Sequence, residues 1–458
     1  MKKLMPAIIA IALGTPLIGV AQTSPTTDEI QALRKEVSAL RADYEARLQA
    51  LESRLQTTGY LNSLAASNSQ AAPASATIPA VTGGANAFNP AMSLILSGGY
   101  VHTSIDPANY HITGFQLPVN AEAGPGERGF NLAESEFGLA ASIDPWLRGA
   151  ANIALHPDNT VSVEEAYVQT TSLGHGFTVK AGRFFSGIGY LNAQHAHTWD
   201  FVDNPLAYQA LLGTQYGDDG VQLNLLAPTD QFIELGAEAG KGRSYPGGDN
   251  QRNGAGMTAL MLHTGGDIGD SNSWRAGIST LNAKAADQQL VAFDATDNPI
   301  SNTFTGSTRV WVVDGVWKWA PHGNAIHTNF KLQGEYLRST RRGVLNYDVE
   351  GINLADDYHA TQSGWYVQGI YQFIPHWRVG LRTERLNAGT PAYGVNAAAL
   401  AINGEQPRKH TAMFDFSPSE FSRMRLQFAR DYSRGTVADN QVLLQYQMSL
   451  GAHGAHNY

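Results

Sequence analysis

Gln441-Val442-Leu443-Leu444-Gln445-Tyr446-Gln447-Met448-Ser449-Leu450 sets Val442, Leu444, Tyr446, Met448 and Leu450 two residues apart, with Gln441, Gln445, Gln447 and Ser449 on the alternate positions. Successive side chains of an extended strand point to opposite faces, so this stretch has one greasy face and one amide-rich face. In a lipid-embedded barrel the greasy face meets the bilayer and the polar face lines a wet lumen. The same unit recurs back to about Leu94, stopped alternately by a tight turn and a long polar loop. That repetition predicts an all-β transmembrane barrel.

The strands can be counted. Candidate segments are 92–105, 129–143, 146–156, 161–173, 177–190, 220–227, 231–241, 257–267, 273–284, 308–321, 326–340, 361–374, 377–388, 410–417, 422–433 and 440–450, about sixteen antiparallel strands. Connections after even-numbered strands are short, as at Gly174-His175-Gly176, Pro228-Thr229-Asp230 and Pro375-His376, whereas several others run to twenty residues or more. Short periplasmic turns and long outer loops give that asymmetry, and both chain ends then lie in the periplasm. Parity sends Trp311, Val313, Trp317, Trp319, Phe330, Leu332 and Tyr336 to lipid. Trp146, Trp274, Trp319 and Trp377 fall beside the short turns, as members of an interfacial belt do.

Composition narrows the function. The 458 residues include no Cys, 47 Gly and 43% hydrophobic residues, and the net charge is −9. After the N-terminus no apolar run reaches the roughly 20 residues of a spanning helix. The acidic balance offers no basic surface for nucleic acid, and the missing thiols suit an oxidising periplasm. No spacing singles out a nucleophile with its base, so an enzyme is not expected. Gly124-Pro125-Gly126-Glu127-Arg128-Gly129 matches a phosphate-loop string but opens no helix.

Residues 1–21 read as a signal peptide, with Lys2 and Lys3 before an apolar core and Gly19 and Ala21 at the cleavage site. Residues 22–56 read as a periplasmic coiled-coil helix, with Ile30, Leu33, Val37, Leu40 and Tyr44 at three–four spacing and Leu48, Leu51 and Leu55 after a stutter. Self-association would bury that stripe and make a homo-oligomer; the alternative is one amphipathic helix lying on its own barrel. Residues 57–90 form a flexible linker rich in Ala, Ser, Thr and Pro, and residues 91–458 the outer-membrane β-barrel.

The inward charges by parity are Glu134, Glu136, Lys180, Glu234, Glu238, Arg275, Asp314, Lys318, Lys331, Glu335, Arg378, Arg382, Glu384, Arg423 and Arg425. Acidic members gather in the first half and basic ones in the last strands, which would set a transverse field across the lumen. Arg378, Arg382, Arg423 and Arg425 are the sharpest cluster, either attracting carboxylate or phosphate solutes or pairing with Glu384 and Asp431. The loop from Ala193 to Asp219 carries Phe201, Leu206, Tyr208, Leu211 and Leu212, and could fold inward as a constriction or rest on the rim. His195 and His197, with Asp200 close, could hold zinc; His453 and His456 form a second pair. Solvated histidines are the plainer reading of both, and no other cofactor is expected.

The coiled coil, the linker, Val179-Lys180-Ala181-Gly182-Arg183-Phe184-Phe185 and the terminal Tyr458 resemble the coiled-coil-bearing trimeric porins of the dicarboxylate-channel type and, more distantly, the phosphate-selective porins. Asn86-Ala87-Phe88-Asn89-Pro90, Gly187-Ile188-Gly189-Tyr190-Leu191-Asn192 and Gln194-His195-Ala196-His197 resemble a proteobacterial family often labelled zinc-regulated TonB-dependent outer-membrane receptor. The first resemblance implies a trimeric outer-membrane porin of a Gram-negative bacterium passing small polar or anionic solutes. The second implies a receptor for zinc uptake, and a structural tether or adhesion barrel is a third reading.

Overall fold

The computed structural model describes residues 90–119, 121–248, 253–293, 298–400 and 406–451. The signal peptide, coiled coil, nearly all of the linker, His453, His456 and Tyr458 lie outside the described residues. Sixteen strands close a barrel among the described residues. They are β1 Ala91–Thr103, β2 in two pieces (Gly129–Leu132 and Ser135–Ser142), β3 Leu147–Leu155, β4 Val161–Thr170, β5 Phe177–Phe185, β6 Gly217–Leu226, β7 Phe232–Gly240 and β8 Met257–Ile268. There follow β9 Asn272–Phe293, β10 Pro299–Trp319, β11 Asn329–Tyr347, β12 Leu354–Ile374, β13 Trp377–Asn387, β14 Arg408–Ser419, β15 Ser422–Asp431 and β16 Asp439–Gly451. Each strand pairs antiparallel with the next, and β1 closes the cylinder by pairing with β16 from Ser93↔Gly451 to Thr103↔Gln441. Closure leaves no unpaired sheet edge, which is what lipid demands of a spanning sheet.

The faces follow parity. Trp311, Val313, Leu332, Tyr336, Leu444 and Tyr446 are exposed on the outside, while Asp314, Gln333, Glu335, Gln441 and Gln447 are buried within. Outside, an aromatic belt gathers at the short-turn end. Trp377 stacks on Phe416 with centroids 4.2 Å apart, Trp317 packs edge-on against Phe330 at 5.8 Å, and Trp146 is 65% exposed.

Strand ends differ from expectation in two places. First, β9 to β12 run 19 to 22 residues, well past the expected limits at 284, 308, 340 and 361. Their extra length inverts the pattern: Phe304, Leu345, Tyr347 and Tyr358 are buried inward, while Thr305, Ser307, Asp357 and His359 face out. Polar side chains outside and apolar ones inside are what a wall in water requires, so these extensions stand above the lipid-type band. Second, β5 stops at Phe185 and β6 starts at Gly217 instead of residues 190 and 220, because the chain turns inward there.

Candidate functional site in the lumen

The connection from Ser186 to Tyr216 folds into the barrel and carries a 3-10 turn at Ala196–Thr198 and one α-helix, α1 (Leu206–Leu212), all of whose residues are buried. Pro205 stands at its N-cap, and Gly213 ends it in the left-handed conformation (φ 65°) that favours glycine. A helix this short gains little by itself. It is held by packing of Leu206, Ala207, Tyr208 and Leu211 in one core with Val310, Val312, Leu337, Tyr366 and Leu386 of the inner wall.

Charge pins the loop on both sides. His195 and His197 reach an acidic wall on β2 and β4. His197 Nδ1 lies 2.7 Å from Glu136, and His195 Nδ1 lies 3.3 Å from Glu136 and 3.2 Å from Glu164. His195 Nε2 lies 2.9 Å from Glu165. Burial lowers the His195 pKa, but Glu136, Glu164 and Glu165 outweigh it and hold the imidazole well above its ordinary value.

Asp200 and Asp203 reach the opposite, basic wall. Lys331 pairs with Asp200 at 2.5 Å and Arg378 at 3.4 Å, while Asp203 pairs with Arg382 at 2.7 Å and with Lys409. Arg423 and Arg425 donate to the Trp199 carbonyl at 2.8 and 2.6 Å, and Arg425 also donates to that of Phe201 at 2.8 Å.

Between the walls, Glu335 accepts from the Tyr190 and Leu191 amides at 3.1 and 3.0 Å and from the Tyr208 and Tyr366 hydroxyls at 2.9 and 2.6 Å. Gly189 (φ 67°) lies so close to that carboxylate that an added Cβ would run into it. Glu238 takes the Gly187 amide at 2.8 Å, and Glu384 takes the first amide of α1 at 2.6 Å.

The inward charges therefore serve largely as loop anchors, and the loop is folded inward, not laid on the rim. Arg382, Arg423 and Arg425 are engaged by the loop or by Glu384 and Asp415 instead of standing free as a filter. The expected Glu384 pairing is present, at 2.7 Å from Arg382. The expected Asp431 pairing is replaced by hydrogen bonds from Tyr110 and Ser433. Glu134 lies 3.7 Å from His156, Glu234 lies 3.2 Å from His263, and Arg275 lies 3.5 Å from Asp314. Lys318 faces Lys331 across β10 and β11, and Lys180 sits 4.5 Å over the Tyr167 ring. Asp200 belongs to the basic wall, not to the histidine pair.

Parity alone misses Glu164 and Glu165. A β-bulge pairs Asn152 with Glu165 and Ile153 with Val163, skipping Glu164, so both glutamates point inward. The signal is present in the sequence: apolar positions fall at Val161 and Val163, then shift by one to Ala166 and Val168.

Burial raises the Asp203 pKa, but Lys409 and Arg382 outweigh it and hold the carboxyl well below the usual carboxylate range. A depressed folded pKa contributes stability above the unfolded value of about 3.9 and loses it only as pH falls through the folded value. The Asp203 anchor should therefore contribute equally at pH 7 and pH 5, so the extra loop cleavage caused by Asp203→Asn should be the same at both values. Extra cleavage that shrinks at pH 5 would contradict the pairing.

No family model matches the chain. It is 30% identical over 405 residues to an uncharacterized protein of Aquifex aeolicus strain VF5, across 81% of this chain and 80% of that protein. Among solved structures it is similar to a loop-deletion mutant of OmpT, an outer-membrane protein of Vibrio cholerae, at 11% identity and TM-score 0.48, over 79% of this chain and 99% of that one. It is similar to the outer-membrane channel DcaP of Acinetobacter baumannii at 11% identity and TM-score 0.47, over 79% and 97%. Pseudomonas putida OprB aligns at 14% identity and TM-score 0.47, over 79% and 94%.

Proposed function

The chain belongs to the same family as the uncharacterized Aquifex aeolicus protein, and we propose that it is an outer-membrane channel passing small polar and anionic solutes by diffusion. The observation that carries this reading is the inward loop, suspended by charges between the two walls of a closed barrel whose outer face is apolar. Such a loop narrows a lumen without sealing it by a separate domain. The anionic preference rests on Arg148, Arg275, Lys318, Lys331 and Arg378, inward cations toward the short-turn end that are only half-buried. Of the acidic groups that pair with these cations, Asp314 and Asp415 are fully buried as side chains and the loop's Asp200 is 8% exposed. A homo-oligomer is part of the reading, supported by the apolar stripe from Ile30 to Leu55.

The test is purified protein in a planar bilayer under a salt gradient. We expect a stable open conductance and a reversal potential of the sign for anion preference. Cation preference would overturn the anionic part, and absence of conductance the channel itself.

A further inference from the structure

We infer that the pocket where the inward loop meets β2 and β4 binds one divalent transition-metal ion through Glu136, His195 and His197, with Glu164 as a fourth donor. The inference goes beyond the channel reading, since it stands on this side-chain geometry whether or not solute passes.

The donor spacing comes first. The ligating atoms of Glu136, His195 and His197 lie within 4.8 Å of one another. The Glu136 carboxylate lies between the two Nδ1 atoms at 3.3 and 2.7 Å, and Glu164 lies 3.2 Å from His195 Nδ1. Tetrahedral zinc with bonds of 2.0–2.1 Å sets its donors about 3.3 Å apart. Small adjustments of side chains already in place would make that geometry.

Orientation is the second observation. His195 Nε2 lies 2.9 Å from Glu165, so Nε2–H donates there and Nδ1 points toward Glu136 and Glu164, where a metal ion would take the place of the Nδ1 proton. A carboxylate behind the imidazole in this way fixes the tautomer of a metal-binding histidine and raises its basicity. The bulge that places Glu164 and Glu165 on one side of β4 supplies a ligand and its supporting carboxylate together. The histidine segment is itself held, since Gln447 donates to the His197 carbonyl at 3.1 Å and Thr198 to that of His195 at 2.8 Å.

Charge is the third. Glu134, Glu136 and Glu164 bring carboxylate oxygens within 4.8 Å of one another, and Glu165 adds a fourth acid beside them. Like charges that close repel, and a dication would offset them. Two imidazole nitrogens select the zinc, cobalt and nickel class over calcium or magnesium, which take oxygen donors. Bound there, the ion would staple loop to wall.

The experiment uses the full chain in detergent, stripped with chelator. Zinc affinity and stoichiometry are measured by calorimetry, and Co²⁺ by its visible absorption, which reports nitrogen and oxygen donors at low coordination number. We expect one ion per chain, a cobalt spectrum of tetrahedral intensity, and affinity lowered on the order of 100-fold in H195A/H197A and about 10-fold in E165Q. H410A, on the outer face, should bind as the unaltered protein does. E136Q keeps size and hydrogen bonding, so a loss there with the β-sheet circular dichroism unchanged separates ligation from misfolding. Absence of binding by the unaltered chain, or equal affinity in H195A/H197A and E136Q, overturns the site. Conductance recorded in chelator reports on the channel separately, so a barrel that conducts and binds no ion refutes this inference alone.

Discussion

Asp200→Asn combined with Asp203→Asn should raise single-channel conductance several-fold and expose the segment 186–216 to protease. Asp203 accepts from Arg382 at 2.7 Å and Gln427 at 2.8 Å and pairs with Lys409, while Asp200 pairs with Lys331 and Arg378. Arg382 and Lys409 are buried. Neutralising the carboxylates leaves Lys409 away from water without its partner and Arg382 with Glu384 alone, and breaking a buried pair from one side costs about 3–5 kcal/mol. The barrel wall is a continuous ladder of strand pairs and does not depend on the loop, so the cost falls on the loop's docking. The loop should lift on its Asp side while the His side stays pinned. Unchanged conductance together with unchanged protease resistance would show that the apolar packing of α1 alone sets the loop's position.

Glu335→Ala should loosen the opposite end. Removing that carboxylate leaves four donors without an acceptor: the Tyr190 and Leu191 amides and the Tyr208 and Tyr366 hydroxyls. A buried donor left unsatisfied costs about 1–3 kcal/mol, so even with partial relaxation the total is about 3–5 kcal/mol. Tyr208 lies in α1, so the helix loses its tether to β11 and β12 as the loop entry does. Amide hydrogen exchange at 187–192 and 206–212 should accelerate by at least about 100-fold, the equivalent of roughly 3 kcal/mol. Glu335→Gln keeps one acceptor oxygen and should fall between. Exchange in Glu335→Ala matching that of the unaltered chain would remove Glu335 from the latch.

Much of the barrel was legible because lipid imposes a strict rule. Every spanning strand must turn apolar side chains outward, and Val442, Trp311 and Leu332 announce their faces without knowledge of any partner. The rule lapses above the bilayer. There β9 and β10 invert their polarity, with Phe304 inward and Thr305 outward, so the expected strands stop at 284 and begin again only at 308. The apolar run Leu206 to Leu212 made an inward fold of the loop one of two readings, but that run fits a lid on the rim as well, since both bury it.

The loop's anchoring was not legible. His195-Ala196-His197-Thr198-Trp199-Asp200-Phe201-Val202-Asp203 places histidines before acids in the order that matches an acidic wall and then a basic one, but that order means nothing until both walls are known. The arginines read as either a solute filter or a paired wall because parity tells which way a side chain points, not what it meets.

The unequal strands shape the mouth. On one side β3 to β7 hold nine or ten residues each, on the other β9 to β12 hold 19 to 22. At about 3.3 Å per residue and a tilt near 40°, the low side stands roughly 25 Å and the high side roughly 50 Å. The entrance is a scoop with a parapet along about a quarter of its circumference, four strands of sixteen, and on the channel reading arriving molecules would come across the low lip. The inner surface of that lip and of the adjoining β2 carries Glu164 and Glu136, with the two loop histidines against them, so on the channel reading an entering solute passes them early.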